Sequence, residues 1–108
     1  MPNGFDKNWV RLCAAIDGFY VSHGKWPSRI LLFAGAIENL KADVFSKKSF
    51  AKLVSKVDLV VSESPMLAQD DDGNHYNYGE QGFPDTKPPI SAADWLGIEP
   101  DGPGKEHG

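Results

Sequence analysis

The sequence predicts an α+β domain: three helices and a small mixed sheet of three or four strands in the order α-β-α-α-β-β-β, then an irregular C-terminal tail. Three observations carry that prediction. Apolar residues recur at helical spacing in three separate stretches, short apolar runs at 29–34 and 58–62 have strand length, and glycine and proline concentrate late in the chain. From Gly79 onward lie five of the eight prolines and six of the eleven glycines. A chain of 108 residues accommodates one domain, because a second core would be too small to offset the conformational entropy of its own segment. The boundary is placed at 79, with a compact body over residues 1–79 and a Pro/Gly-rich acidic tail over 80–108.

The first helix is predicted over residues 6–23. Trp9, Leu12, Cys13, Ile16 and Tyr20 fall at i, i+3, i+4, i+7 and i+11, which gathers them on one face, and Asp6 can cap the exposed amides at the start. Gly18 interrupts this pattern at a cost of about 1 kcal/mol relative to alanine, so its presence predicts close approach of another backbone. The stretch HGKWPSR, residues 23–29, holds a histidine, an aromatic ring and two cations. A reactive site of His23 and Arg29 around Trp26 is one reading, yet each residue has a structural job. Gly24 can close the helix in the left-handed conformation, His23 can meet the last carbonyls, Pro27 stops the helix resuming, and Trp26 folds back over the final turn. The stretch reads as a hinge.

RILLFA, residues 29–34, is almost wholly apolar and too short for a helix, which predicts a central strand covered on both faces. Ile37, Leu40 and Val44 then take up helical spacing. Ser46 is placed to cap a third helix in which Phe50, Leu53, Val54 and Val57 recur at i, i+3, i+4 and i+7. DLVVS at 58–62 follows those two helices as the next strand, a connection suited to a right-handed crossover between parallel neighbours. Pro65 then predicts an edge strand or a fresh start. Strands at 66–70 and 74–78 are joined by Asp72-Gly73, a favoured two-residue turn that puts Leu67, Gln69, Tyr76 and Tyr78 on one face. One island interrupts the tail. In SAADWLG at 91–97, Ser91 stands at a cap position, Asp94 lies three residues on and Gly97 is a stop, so a single helical turn presents Trp95, Leu96 and Ile98.

The net charge of -4 is unevenly distributed. Residues 1–56 hold nine Lys/Arg against four Asp/Glu, a net +5, and residues 57–108 hold two against eleven, a net -9. Either the acidic half folds back on the basic half, or each half meets a different charged partner. Lys48, Lys52 and Lys56 form a row at i, i+4 and i+8 on the third helix, a spacing at which like charges gain from an acidic neighbour. Trp95, Leu96 and Ile98 have no local core to enter, so they dock on the domain or on a partner. These six are the candidate partner-binding residues of a small protein-interaction module whose partner is an unidentified protein or a second copy of the chain. A nucleic-acid-associated protein using the lysine row is the alternative. It is disfavoured by the acidic total and by the lack of a recognisable nucleic-acid motif.

Chemistry leaves less trace. Cys13 is the only cysteine and sits on an apolar stripe, so it reads as core filler rather than a nucleophile. With one thiol, no leader-like apolar run and no membrane-length segment, the expectation is a cytoplasmic protein that does not enter membranes. DDDGN at 70–74 invites a calcium reading, but the twelve-residue loop pattern fails at Ala68 and Gly79. Cys13, His23, His75 and His107 lack zinc-ligand spacing. There is no nucleophile elbow, phosphate-binding glycine loop or dinucleotide fingerprint. No catalytic residue, metal or cofactor is assigned, and an enzyme of unknown reaction is the least supported class.

Overall fold

The computed structural model describes residues 7–102. Helix α1 (Lys7–His23) leads to strand β1 (Arg29–Leu32), helices α2 (Ala34–Asn39) and α3 (Lys47–Lys56), and strands β2 (Asp58–Val61), β3 (Leu67–Gln69) and β4 (His75–Asn77). Two short helices follow, α4 (Tyr78–Gln81) and α5 (Ala92–Leu96). The architecture is α+β, and its four-stranded sheet runs in the order β2-β1-β3-β4, parallel only between β1 and β2.

Leu12, Ile16 and Phe19 bury one side of α1, while Asp6, expected to cap it, lies outside the described residues. The helix ends as its glycine dictates. Gly24 takes φ +74 and its N–H bonds to the Tyr20 carbonyl at 2.7 Å, and Trp26 packs back on Tyr20 with ring centroids 4.4 Å apart. His23 departs from expectation: its Nε2–H donates to the His75 carbonyl at 2.9 Å rather than to its own helix. Gly18 is indeed closely approached, but by a ring and not by a backbone. A Cβ there would lie 2.3 Å from Tyr76, whose hydroxyl donates to the Gly82 carbonyl at 2.7 Å.

β1 is interior, yet only one of its faces is fully covered: Ile30 and Leu32 are buried, Arg29 and Leu31 half-buried. Beyond it, α2 widens into the turn Leu40–Val44, closed by an i→i+5 bond from the Phe45 N–H to the Leu40 carbonyl at 3.0 Å. Leu40, Val44 and Phe45 are all buried there. Ser46 caps α3, its hydroxyl oxygen accepting from the Ser49 N–H at 3.2 Å.

Pro65 marks a fresh start and not an edge, since β3 lies between β1 and β4. The β3–β4 hairpin is shifted by one residue from the register that a two-residue turn would impose. Leu67 faces Asn77, Ala68 faces Tyr76 and Gln69 faces His75. Asp70 causes the shift. Its Oδ1 accepts from the N–H groups of Asp72 and Asn74, both at 3.0 Å, and Oδ2 accepts from Asn74 Nδ2 at 3.0 Å. Asp71, Asp72 and Gly73 are thereby left as a three-residue loop, with Gly73 at φ +90. Tyr76 consequently turns into the core with Ala68, away from Leu67 and Gln69.

The core continues past position 79. Ala92, Leu96 and Ile98 belong to the same buried cluster as Leu12, Ile16 and Leu53. α5 is locally built as its sequence directs: Ser91 Oγ accepts from the Asp94 N–H at 3.1 Å and Gly97 closes the helix at φ +74. Three apolar side chains on one turn are too few to make a core, but they complete one that α1 and α3 leave open.

Candidate interaction surface

The two groups of residues singled out by the sequence meet each other. Leu96 and Ile98 are inside the core, and Trp95 is half-buried. The Trp95 indole stacks on Trp26, with centroids 4.7 Å apart and planes 9° from parallel. Lys56 Nζ lies 5.3 Å from the Trp95 ring centroid, and Lys52 Nζ donates to the Gly97 carbonyl at 3.2 Å, at the negative end of α5. Two lysines of the row are therefore engaged by the tail helix. Lys48 is exposed and joins no ion pair found among the described residues.

Asp101, which sequence reading passed over, anchors the rest of the tail. Its Oδ1 accepts from the Ser46 N–H at 2.9 Å, and its Oδ2 accepts from the hydroxyls of Ser46 at 2.9 Å and Ser49 at 2.7 Å. Burial opposes its charge, but the Ser46 N–H and the Ser49 and Ser46 hydroxyls outweigh that and hold the carboxyl below the usual carboxylate range. Gly102 then passes so close to the Asp43 carbonyl that a Cβ would lie 2.2 Å from it. The available signal was an acid in an acidic tail and two serines three apart at a helix start. Asp17 makes a similar tie, its Oδ1 accepting from the Ala92 N–H at 2.8 Å.

Part of the charge asymmetry is met within the chain. Lys25 pairs with Asp70 at 2.8 Å and Asp72 at 2.7 Å, and Arg29 pairs with Asp71. All three ion pairs found among the described residues join a cation of the basic half to an acid of the acidic half. Hydrogen bonds from Asn74 and Lys25 hold Asp70 well below the usual carboxylate range, and Asp70 and Asp72 raise Lys25 in return. These carboxylates are thus taken up by cations and backbone amides. Among the described residues, no three His, Cys, Asp or Glu side chains gather to hold a metal.

A groove of about 430 Å³ lies between α1 and the segment at 83–87, lined by Trp9, Cys13 and Asp17 on one side and Phe83 and Lys87 on the other. Burial pushes the Cys13 thiol far up, and Asp17 adds to the effect, so the reactive thiolate is disfavoured. Asp17 is itself raised by burial, against the lowering influence of the Ala92 N–H and Lys87. His23 and His75 stand apart from this groove on the exposed surface.

Among the described residues, one edge of the sheet is left open. The Asp58 N–H bonds to the Ser28 carbonyl at 3.0 Å and the Ser62 N–H to the Leu32 carbonyl at 2.8 Å, so these residues face β1. Alternation along a parallel ladder then turns the N–H and C=O groups of Leu59 and Val61 outward. Val61 pairs with buried Leu32 but is itself 65% exposed, Val60 is 39% exposed, and Phe33 just beyond β1 is 48% exposed. The opposite edge is different, because His23 occupies the His75 carbonyl and β4 turns directly into α4. Edges are commonly protected by shortness, charged side chains, Pro or a bulge; β2 is short and opens on Asp58, but Leu59, Val60 and Val61 carry no charge or Pro. The sequence identified this strand without revealing that it is an edge, since strand order follows from β1 also pairing with β3.

No described helix is long and apolar enough to cross a membrane. No family model matches the chain, and comparison with curated proteins and with solved structures found no match.

Proposed function

We propose that this chain is a protein-interaction domain that receives an extended segment of its partner along β2. The carrying observation is the outward-facing peptide groups of Leu59 and Val61, flanked by exposed Val60 and Val61. Adding a strand satisfies those peptide groups, while the two valines offer side-chain contacts on opposite faces of the sheet. The nucleic-acid alternative is less well supported, because Lys52 and Lys56 are held against α5. Trp95, Leu96 and Ile98 serve the reading indirectly, by completing the body that presents the edge. A cytoplasmic setting accords with Cys13 being the single cysteine, free as a thiol.

The test is selection of binders from a random peptide library, mapped by amide resonances. Bound peptides are expected to shift the Leu59, Val60 and Val61 signals and to slow hydrogen exchange at Leu59 and Val61. Binders that perturb only other surfaces overturn the proposal.

A further inference from the structure

Building on the reading of β2 as a strand-accepting edge, we infer that the segment it receives is β2 of a second copy of this chain, paired antiparallel about a two-fold axis through Val60. Hydrogen-bond parity selects that register. In a symmetric antiparallel pair, the axis must pass through a residue that faces its own copy. With Val60 on the axis, Leu59 faces Val61 of the second copy and Val61 faces Leu59, and these are the residues whose peptide groups point outward. Each such pair exchanges two N–H···O bonds, so four form while the β1–β2 ladder stays intact. Neighbouring registers do worse. Centring on Leu59 sets Val61 against Val57, whose N–H is already bonded to the Leu53 carbonyl at 3.1 Å. Centring on Val61 sets Leu59 against Glu63, beyond the end of the strand.

The side chains agree with this register. Val60 shares its sheet face with Leu31, which in turn pairs with Leu67. Across the axis Val60 meets its own copy, so an apolar row of Leu67, Leu31 and Val60 continues from three strands of one sheet into three strands of the other, ending at Asn77 on each β4. Val61, 65% exposed in the single chain, is covered by Leu59 of the second copy. Charge sets the direction. In the antiparallel pair Lys56, Asp58 and Glu63 face Ser64, Ser62 and Val57 of the second copy, whereas in-register parallel association sets each of these charges against its own like. A foreign segment would have to supply this complement, but a second copy carries it by symmetry.

The experiment combines analytical ultracentrifugation over a range extending to millimolar protein with hydrogen exchange at Leu59, Val60 and Val61. It uses the full chain, the variants Val61→Pro and Val61→Lys, and a labelled peptide copying residues 56–64. Val61→Pro removes an outward N–H and leaves the inward ladder untouched. The expected result is a concentration-dependent dimer in which exchange slows at Leu59 and Val61 but not at Val60, with both variants raising the dimer Kd about tenfold or more. The exchange pattern of the unaltered chain stands as a test even where a variant fails to fold. A dimer that forms without protecting Leu59 and Val61, or that survives both substitutions in folded variants, overturns the inference. A chain that stays monomeric while the peptide protects Leu59 and Val61 overturns self-pairing and leaves the strand-accepting edge standing. A monomer to which the peptide does not bind overturns self-pairing, and the strand-accepting edge is then decided by the library selection alone.

Discussion

Replacing Gly18 by alanine places a Cβ 2.3 Å from the Tyr76 ring, and that ring is fixed at its far end by the bond from its hydroxyl to Gly82. Overpacking of this kind costs about 1–3 kcal/mol, more than the improved helix propensity returns, so chemical denaturation of Gly18→Ala should show a clear net loss. Gly35 in α2 is the matched control. Nothing lies within 4 Å of its added Cβ, and Gly35→Ala should raise stability by about 0.5–1 kcal/mol. The sequence marked Gly18 as a place of close approach, because a mid-helix glycine carries a cost that must be offset elsewhere. It could not name the visitor. Tyr76 reaches Gly18 only because the Asp70 carboxylate collects two amides, enlarges the loop by one residue and turns the ring to the core face. A two-residue turn would have sent Tyr76 to the opposite face.

At the scale of elements, local chemistry was legible and docking was not. Helix ends at Gly24, Ser46, Ser91 and Gly97 are dictated by side chains within a few positions of each backbone group they satisfy. What α5 packs against depends on residues far away, including Trp26 beneath Trp95 and Asp17 on the Ala92 N–H. Leu96 is fully buried, so Leu96→Ala is expected to lower stability by about 2–5 kcal/mol in equilibrium unfolding. A loss below about 0.5 kcal/mol, the size typical of a surface site, would mean that α5 does not belong to the core in solution. The lysine row was visible as a pattern, but the groups that meet it within the chain are not the carboxylates that its charge called for. Lys52 finds the Gly97 carbonyl and Lys56 an indole face.

For the whole molecule, the fold class followed from periodicities that repeat within single elements, whereas strand order depends on pairings that no single stretch encodes. The acid response is also a property of the whole chain, because it sums carboxyls shifted in opposite directions. Asp101 and Asp70 are lowered, so the unfolded chain binds more protons than the folded one below the ordinary carboxylate value of about 4, and their stabilisation is lost as pH falls through the folded values. Asp17 is raised, so the folded chain binds the extra proton there, and its penalty is relieved as pH falls into the window just above that ordinary value. Denaturation midpoints measured against pH should therefore decline less steeply below about pH 4 in Asp101→Asn, and should lose the gain on mild acidification in Asp17→Asn. The parallel indoles of Trp26 and Trp95 add an optical consequence. Each ring shields a face of the other from water, so tryptophan emission should move to longer wavelength when α5 detaches, and the protein reports its own closure without a label.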